Sequence, residues 1–156
     1  MRQIFVDLDG VLADTATYYQ RLFSTPLTWT DADFANIKSY PDFYRYQYPM
    51  PNLLRLWKGI QLFHPDPIIL TGIPYSIPDV AKHKRQWVTD YLGIDVKVIC
   101  CPARNKHKHG KSGDILIDDR LKYSQFWLDM GGVFIHHTSN FDTLRALNNR
   151  FTGVQV

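Results

Sequence analysis

Arg2-Gln3-Ile4-Phe5-Val6-Asp7-Leu8-Asp9-Gly10 is the stretch on which the fold turns. Its first half is a short apolar run of β-prone residues, the pattern of a strand buried on both faces. The run stops abruptly at two aspartates spaced by one residue and followed by glycine. Asp14 is placed to cap a helix carrying Tyr18, Leu22 and Phe23 on one side, so the turn chemistry does not use Asp7 and Asp9.

Working outward, the same grammar recurs. Ile68-Ile69-Leu70 reads as a second buried strand ending at Thr71-Gly72, and Pro78-Asp79 opens a helix that Gly93 closes. Residues 96–100 read as a third strand, 102–113 as a polar basic loop, 114–117 as a fourth strand ending in Asp118-Asp119, 133–136 as a fifth. Helices are expected at about 52–62, 121–130 and 141–149. Alternation of strand and helix predicts an α/β domain with a mainly parallel sheet. Such sheets bind ligands beyond the carboxyl ends of their strands. Asp7, Asp9, Thr71, Asp118 and Asp119 all stand just past predicted strand ends, so they should converge on one rim.

Residues 24–51 break the pattern, with Pro26, Pro41, Pro49 and Pro51 among the aromatics Trp29, Phe34, Tyr40, Phe43, Tyr44, Tyr46 and Tyr48. This reads as an insert of short helices and loops that packs on itself or binds something flat. We take 1–16 and 64–156 as the core domain and 17–63 as the insert.

Composition sets bounds. The chain has 156 residues, 45% hydrophobic and 21% charged, with a formal charge of +3. That is ordinary for a globular domain and suits an anionic ligand without demanding nucleic acid. No apolar run reaches membrane-spanning length, and aspartates interrupt the N-terminal segment before a signal peptide could develop, so a cytoplasmic location is expected. Cys100 and Cys101 are adjacent, which disfavours a mutual disulfide, and no CxxC spacing suggests zinc. His107 and His109 read as solvated or substrate-proximal rather than as metal ligands.

Two acidic pairs on one rim repel unless a cation lies among them, and a hard cation with oxygen ligands fits where phosphate is handled. Thr71 supplies a hydroxyl and Gly72 an unhindered N–H, both suited to phosphate. Lys106 or Lys108 could set a positive charge against a phosphoryl oxygen.

These residues resemble a known family. Val6 to Asp14 looks like the first motif of the haloacid dehalogenase (HAD) superfamily, Thr71 like the second, a lysine in 104–111 like the third and Asp118-Asp119 like the fourth. Within it, Asp42-Phe43-Tyr44, Gln86-Trp87-Val88 through Leu92-Gly93, Arg104-Asn105-Lys106 and 113–120 resemble the 5'(3')-deoxyribonucleotidases and their small bacterial and phage relatives. Gly72 stands where that family usually has Ser, and Asn105 where it has Asp. The triplet's register favours Lys106 for the third motif; distance to Asp118 favours Lys108.

The resemblance implies a HAD-like three-layer sandwich with a small helical cap and an Mg²⁺-dependent phosphomonoester hydrolase. Asp7 would be the nucleophile and Asp9 the acid and base. The metal would be held by Asp7, the Asp9 carbonyl and Asp118, with Asp119 outside them. Thr71, Gly72 and Lys106 would bind phosphate, and Phe43 and Tyr44 would stack on the base of a nucleoside monophosphate. Sugar phosphates, nucleic-acid 3'-phosphate ends, and a catalytically silent nucleotide-binding module are the alternatives.

Overall fold

The computed structural model describes residues 1–153. Five parallel strands make the sheet: β1 (Ile4–Val6), β4 (Ile68–Gly72), β5 (Val98–Cys101), β6 (Ile115–Asp118) and β7 (Val133–His136), in the order β5-β4-β1-β6-β7. β1 lies in the middle. The chain runs from it to β4 and β5, then returns to β6 and β7 on the other side. The switch point of this doubly wound sheet therefore lies at the carboxyl end of β1.

Side-chain alternation along the strands builds two faces. Ile4, Val6, Ile69, Ile115, Ile117 and Ile135 point into the larger core, which is closed by α4 (Leu53–Gln61), α5 (Val80–Leu92) and α7 (Asn140–Thr152). Phe5, Leu70 and Leu116 point the other way, under Trp127 of α6 (Ser124–Asp129). Trp87 and Trp127 are almost wholly buried, one in each layer. The fold is thus a parallel sheet flanked by helices, Rossmann-like in topology, and no described helix is long and apolar enough to cross a membrane.

The insert differs in one respect from its expected bounds. α4 was assigned to it by sequence, yet Leu53, Leu56, Trp57 and Ile60 pack with the sheet residues and α4 lies against α7. Its apolar stripe matches the open face of the sheet, so it is the crossover helix from β1 to β4. What remains is a small separate core. α1 (Thr15–Phe23), α2 (Asp31–Lys38) and α3 (Phe43–Tyr46) bury Tyr18, Tyr19, Ile37, Phe43 and Tyr44 against Ile77 and Val80. A two-residue pairing of β2 (Ala13–Asp14) with β3 (Tyr48–Pro49) ties the insert's ends together.

The caps follow the sequence. Asp14 accepts from the Thr17 N–H, and Thr30 and Asp33 form a reciprocal capping box on α2. Residues expected as a loop between β5 and β6 instead wind into a 3-10 helix, Ala103–His109. Its lysines and histidines carry no apolar stripe, which is why no helical pattern shows in the sequence.

Candidate active site

β1, β4 and β6 end side by side and deliver their terminal residues to one cavity of about 170 Å³. Asp7 follows the last residue of β1, its N–H still paired at 2.9 Å with the Ile117 carbonyl of β6. Asp118 is the last residue of β6. Asp7, Asp118 and Asp119 each offer a carboxylate oxygen, and these oxygens lie within 4.8 Å of one another.

Gly10 allows this approach. It adopts a φ of +83°, and a Cβ there would overlap the Asp119 carboxylate. Only glycine meets both demands.

Lys106, from the 3-10 helix, supplies the countercharge. Its ammonium lies 2.9 Å from Asp7 Oδ1 and 2.7 Å from Asp118 Oδ2, with all three side chains buried. Burial alone would lower the lysine's pKa, but the Asp7 and Asp118 charges outweigh it and raise it, so the ammonium persists. One ammonium among three carboxylates leaves an excess of negative charge. Asp7 is accordingly pushed well above the usual carboxylate range, first by burial and then by Asp118. Asp119 is raised to about 6 by burial and by Asp118. Asp119 Oδ1 is buried without a hydrogen-bond partner. Three converging hard oxygen donors, with one of the carboxylates orphaned and two of them resisting ionisation, fit a divalent cation such as Mg²⁺. Asp7 and Asp118 are the two side-chain ligands expected by sequence, and Asp119, expected outside them, joins them in the cluster.

Asp9 faces a second cation that sequence reasoning missed. Lys84 of α5 donates to Asp9 Oδ2 at 2.6 Å, to Thr71 Oγ1 at 3.1 Å and to the Gly72 carbonyl at 2.7 Å. It is 1% exposed, and its ammonium sits 4.5 Å from the centre of the Tyr44 ring. The other Asp9 oxygen accepts from Gln47 Nε2 at 2.9 Å. Gln47, also missed, is buried and fixed by the Thr15 hydroxyl and by the Trp87 indole N–H, which donates to its carbonyl. A signal for Lys84 did exist. Val80, Lys84, Trp87 and Val88 share the buried face of α5, so the lysine interrupts an apolar stripe.

The remaining expected residues divide. Thr71 is fully buried with its hydroxyl on Lys84, and it does not reach the cavity wall. Gly72 does line the cavity, where a Cβ would stand 2.9 Å from the Ala103 Cβ, so the 3-10 helix leaves no room for a serine side chain. Lys106 is the buried lysine at the carboxylates, whereas Lys108 is exposed. Phe43 is 1% exposed in the insert's own core and does not line the cavity. Its neighbours Tyr18, Tyr19 and Tyr44 enclose the ring. Tyr44 does line the cavity, beside Trp29 and Phe34. His107 also lines it, its ring 5.3 Å from Phe126, and neither His107 nor His109 belongs to the acidic cluster.

No protein-family model matches this chain, and no curated protein does. The reading of the site therefore rests on its own chemistry.

That chemistry has two halves. One is an anion-rich trio with a single buried ammonium, suited to a cation and to a nucleophilic carboxylate. The other is a charge-matched carboxylate, Asp9, held at both oxygens. Cys100 and Cys101 are unpaired thiols whose pKa values are raised by burial, so they offer no reactive thiolate.

Proposed function

We propose that the protein is a HAD-like, Mg²⁺-dependent phosphomonoester hydrolase that works through an aspartyl-phosphate, with nucleoside monophosphates as its substrates. The observation that carries this reading is the pairing in one cavity of two carboxylates in opposed settings, Asp7 and Asp9. A cation among Asp7, Asp118 and Asp119 would offset the repulsion that keeps Asp7 from ionising and leave it free to act as nucleophile. Asp9 stands apart from that cluster, with donors that can exchange protons.

Asp7, Asp118 and Asp119 would hold the metal. When bound, the ion neutralises the excess negative charge and screens the phosphate so that a carboxylate can approach it. Lys106 keeps Asp7 oriented at 2.9 Å and adds positive charge where the phosphoryl oxygens gather. An Asp7 oxygen bonds to phosphorus as the ester P–O bond breaks, and Asp9, having taken a proton from solvent as the incoming substrate loosens its contact with Gln47 or Lys84, gives that proton to the departing oxygen. A water then attacks phosphorus, the P–O bond to Asp7 breaks, and Asp9 takes the water's proton. Both Asp9 oxygens are held by donors, so the leaving oxygen displaces Gln47 or Lys84 as it enters. Lys84 and Gln47 are positioning residues for Asp9.

Trp29 and Phe34 replace Phe43 as the flat walls available to a base. Stacking on such rings is worth about 1–3 kcal/mol per base. The test is phosphate release from a panel of nucleoside monophosphates and sugar phosphates, with Mg²⁺ and with EDTA. Metal-dependent release, fastest from nucleotides, is expected. Binding of nucleotides without release under any metal condition would instead favour a silent nucleotide-binding module.

A further inference from the structure

The loops after β5 and β6 carry more positive charge than this reaction uses. Arg104, Lys106, Lys108 and Lys111 stand between Pro102 and Gly113 without an acidic neighbour, and Arg120 and Lys122 follow the aspartate pair directly. Lys106 is committed to Asp7 and Asp118. Among the described residues, none of the other five forms an ion pair with a carboxylate.

Arg104 and Arg120 line the same cavity as Asp7. Arg120 is fixed at two points. Its N–H donates to Asp118 Oδ1 at 2.9 Å, and its guanidinium lies 5.1 Å from the centre of the Trp29 ring. Trp29 holds a left-handed φ of +59° and packs against Phe34 with centroids 5.7 Å apart. Such a backbone is strained for a bulky residue and persists only where its surroundings impose it. Arg120 belongs to this aromatic end of the cavity, with its guanidinium over Trp29, whereas Lys106 is the cation paired with Asp7.

A guanidinium stacked on an indole, half-buried and without a counter-carboxylate, keeps its planar fork of donors free for an anion. We propose that the cavity takes a nucleotide carrying a second phosphate, with Asp7 attacking one phosphoryl group while Arg104 and Arg120 hold the other. This rests on the phosphomonoesterase reading given above. The ligand is either a free nucleoside bisphosphate or the phosphorylated end of a short oligonucleotide. Lys108, Lys111 and Lys122 are exposed on the same two loops and would track further phosphates of the latter.

The experiment is a calorimetric binding series with Mg²⁺, using the Asp7→Asn variant so that no ligand is consumed. The ligands are thymidine 5'-monophosphate, thymidine 3',5'-bisphosphate and 5'-phosphorylated dithymidylate. The second phosphate is expected to tighten binding roughly 10-fold or more. Arg120→Ala and Arg104→Ala should remove that gain, and Arg120→Lys should restore only part of it. Preference for the dinucleotide with a steep salt dependence assigns the oligonucleotide end; preference for the bisphosphate assigns the free nucleotide. Equal affinity for all three ligands, affinity that follows the base alone when other bases are substituted, or a gain that survives both alanine variants overturns the proposal. Failure of the wild-type protein to release phosphate from any of the three defeats the hydrolase reading separately, since the binding series reads the second contact directly.

Discussion

Asp33 in the insert and Asp7 at the end of β1 are both buried carboxylates, at 5% and 6% exposure, and their settings are opposite. Asp33 accepts from the Tyr19 hydroxyl at 2.7 Å, the Thr28 N–H at 2.8 Å, the Thr28 hydroxyl at 3.0 Å and the Thr30 N–H at 3.1 Å. With neutral donors on both oxygens and no like charge beside it, it is held well below the usual carboxylate range, first by Tyr19 and then by the Thr30 N–H. Asp7 has one cation and three neighbouring carboxylates, and its pKa is driven up. The first arrangement closes an account of donors and acceptors and serves the fold. The second leaves charge unbalanced at a cavity, where a ligand can complete it.

Substituting each aspartate by asparagine should therefore have crossed effects. Asp7→Asn is expected to abolish phosphate release while raising the melting temperature of the metal-free protein, because it removes a buried like charge. Phosphate-release assays and thermal melts in EDTA check both halves. Substantial residual turnover would remove Asp7 from the nucleophile role.

Lys106 is the next lever. Lys106→Met leaves Asp7 and Asp118 buried without the ammonium that pairs with both. Breaking a buried pair in this way costs about 3–5 kcal/mol, read by urea unfolding in EDTA. Saturating Mg²⁺ should recover part of that loss, since a ligand that binds only the folded state stabilises it. A loss of the same size with and without Mg²⁺ would argue against a cation among these carboxylates.

Lys84 should act on rate more than on substrate binding. It touches Asp9, Thr71 and Gly72 but does not line the cavity. Lys84→Met is expected to lower kcat by about 10²-fold with KM little changed, the range for a misplaced general acid. The pH profile of kcat should move with it, which loss of packing alone would not produce. Wild-type kcat in a folded variant would show that Asp9 needs no such support.

The contrast between the two regions also explains what the chain disclosed. Strand–helix alternation and the position of the aspartates past strand ends depend on local pattern, so β1, β4, β6 and the Asp7, Asp118, Asp119 cluster were legible. Lys84 was only half legible: it interrupts the apolar stripe of α5, but its neighbours Lys82, His83 and Arg85 mask that signal, and its partner Asp9 is 75 residues away. Gln47 lies in an aromatic stretch whose packing no period announces, and it meets Asp9 across 38 residues. Phe43 and Trp29 could not be sorted from composition, because which ring is enclosed depends on how α1 and α3 pack. α4 was given to the insert on proximity in sequence. Its apolar face alone does not say which of two cores it joins.

The smallest effects test the opposed pKa shifts. Asp33 ionises more readily folded than unfolded, so its contribution is present above the unfolded value of about 4 and is lost as pH falls. Asp33→Asn should lower the melting temperature at pH 7 by a few degrees, and the gap should begin to narrow near pH 4 and shrink further as pH falls. Asp119 runs the other way. With its folded pKa raised to about 6, the native state keeps a proton that the unfolded chain gives up from about pH 4. Its contribution is therefore complete below pH 4 and lost as pH rises through 6. In EDTA, Asp119→Asn should match wild type at low pH and melt higher at pH 7. Adding Mg²⁺ at pH 7 should reverse the order, because the ion uses the carboxylate that the variant lacks. An Asp119→Asn protein that keeps its advantage in saturating Mg²⁺ would mean that this carboxylate is strained for some purpose other than binding a cation.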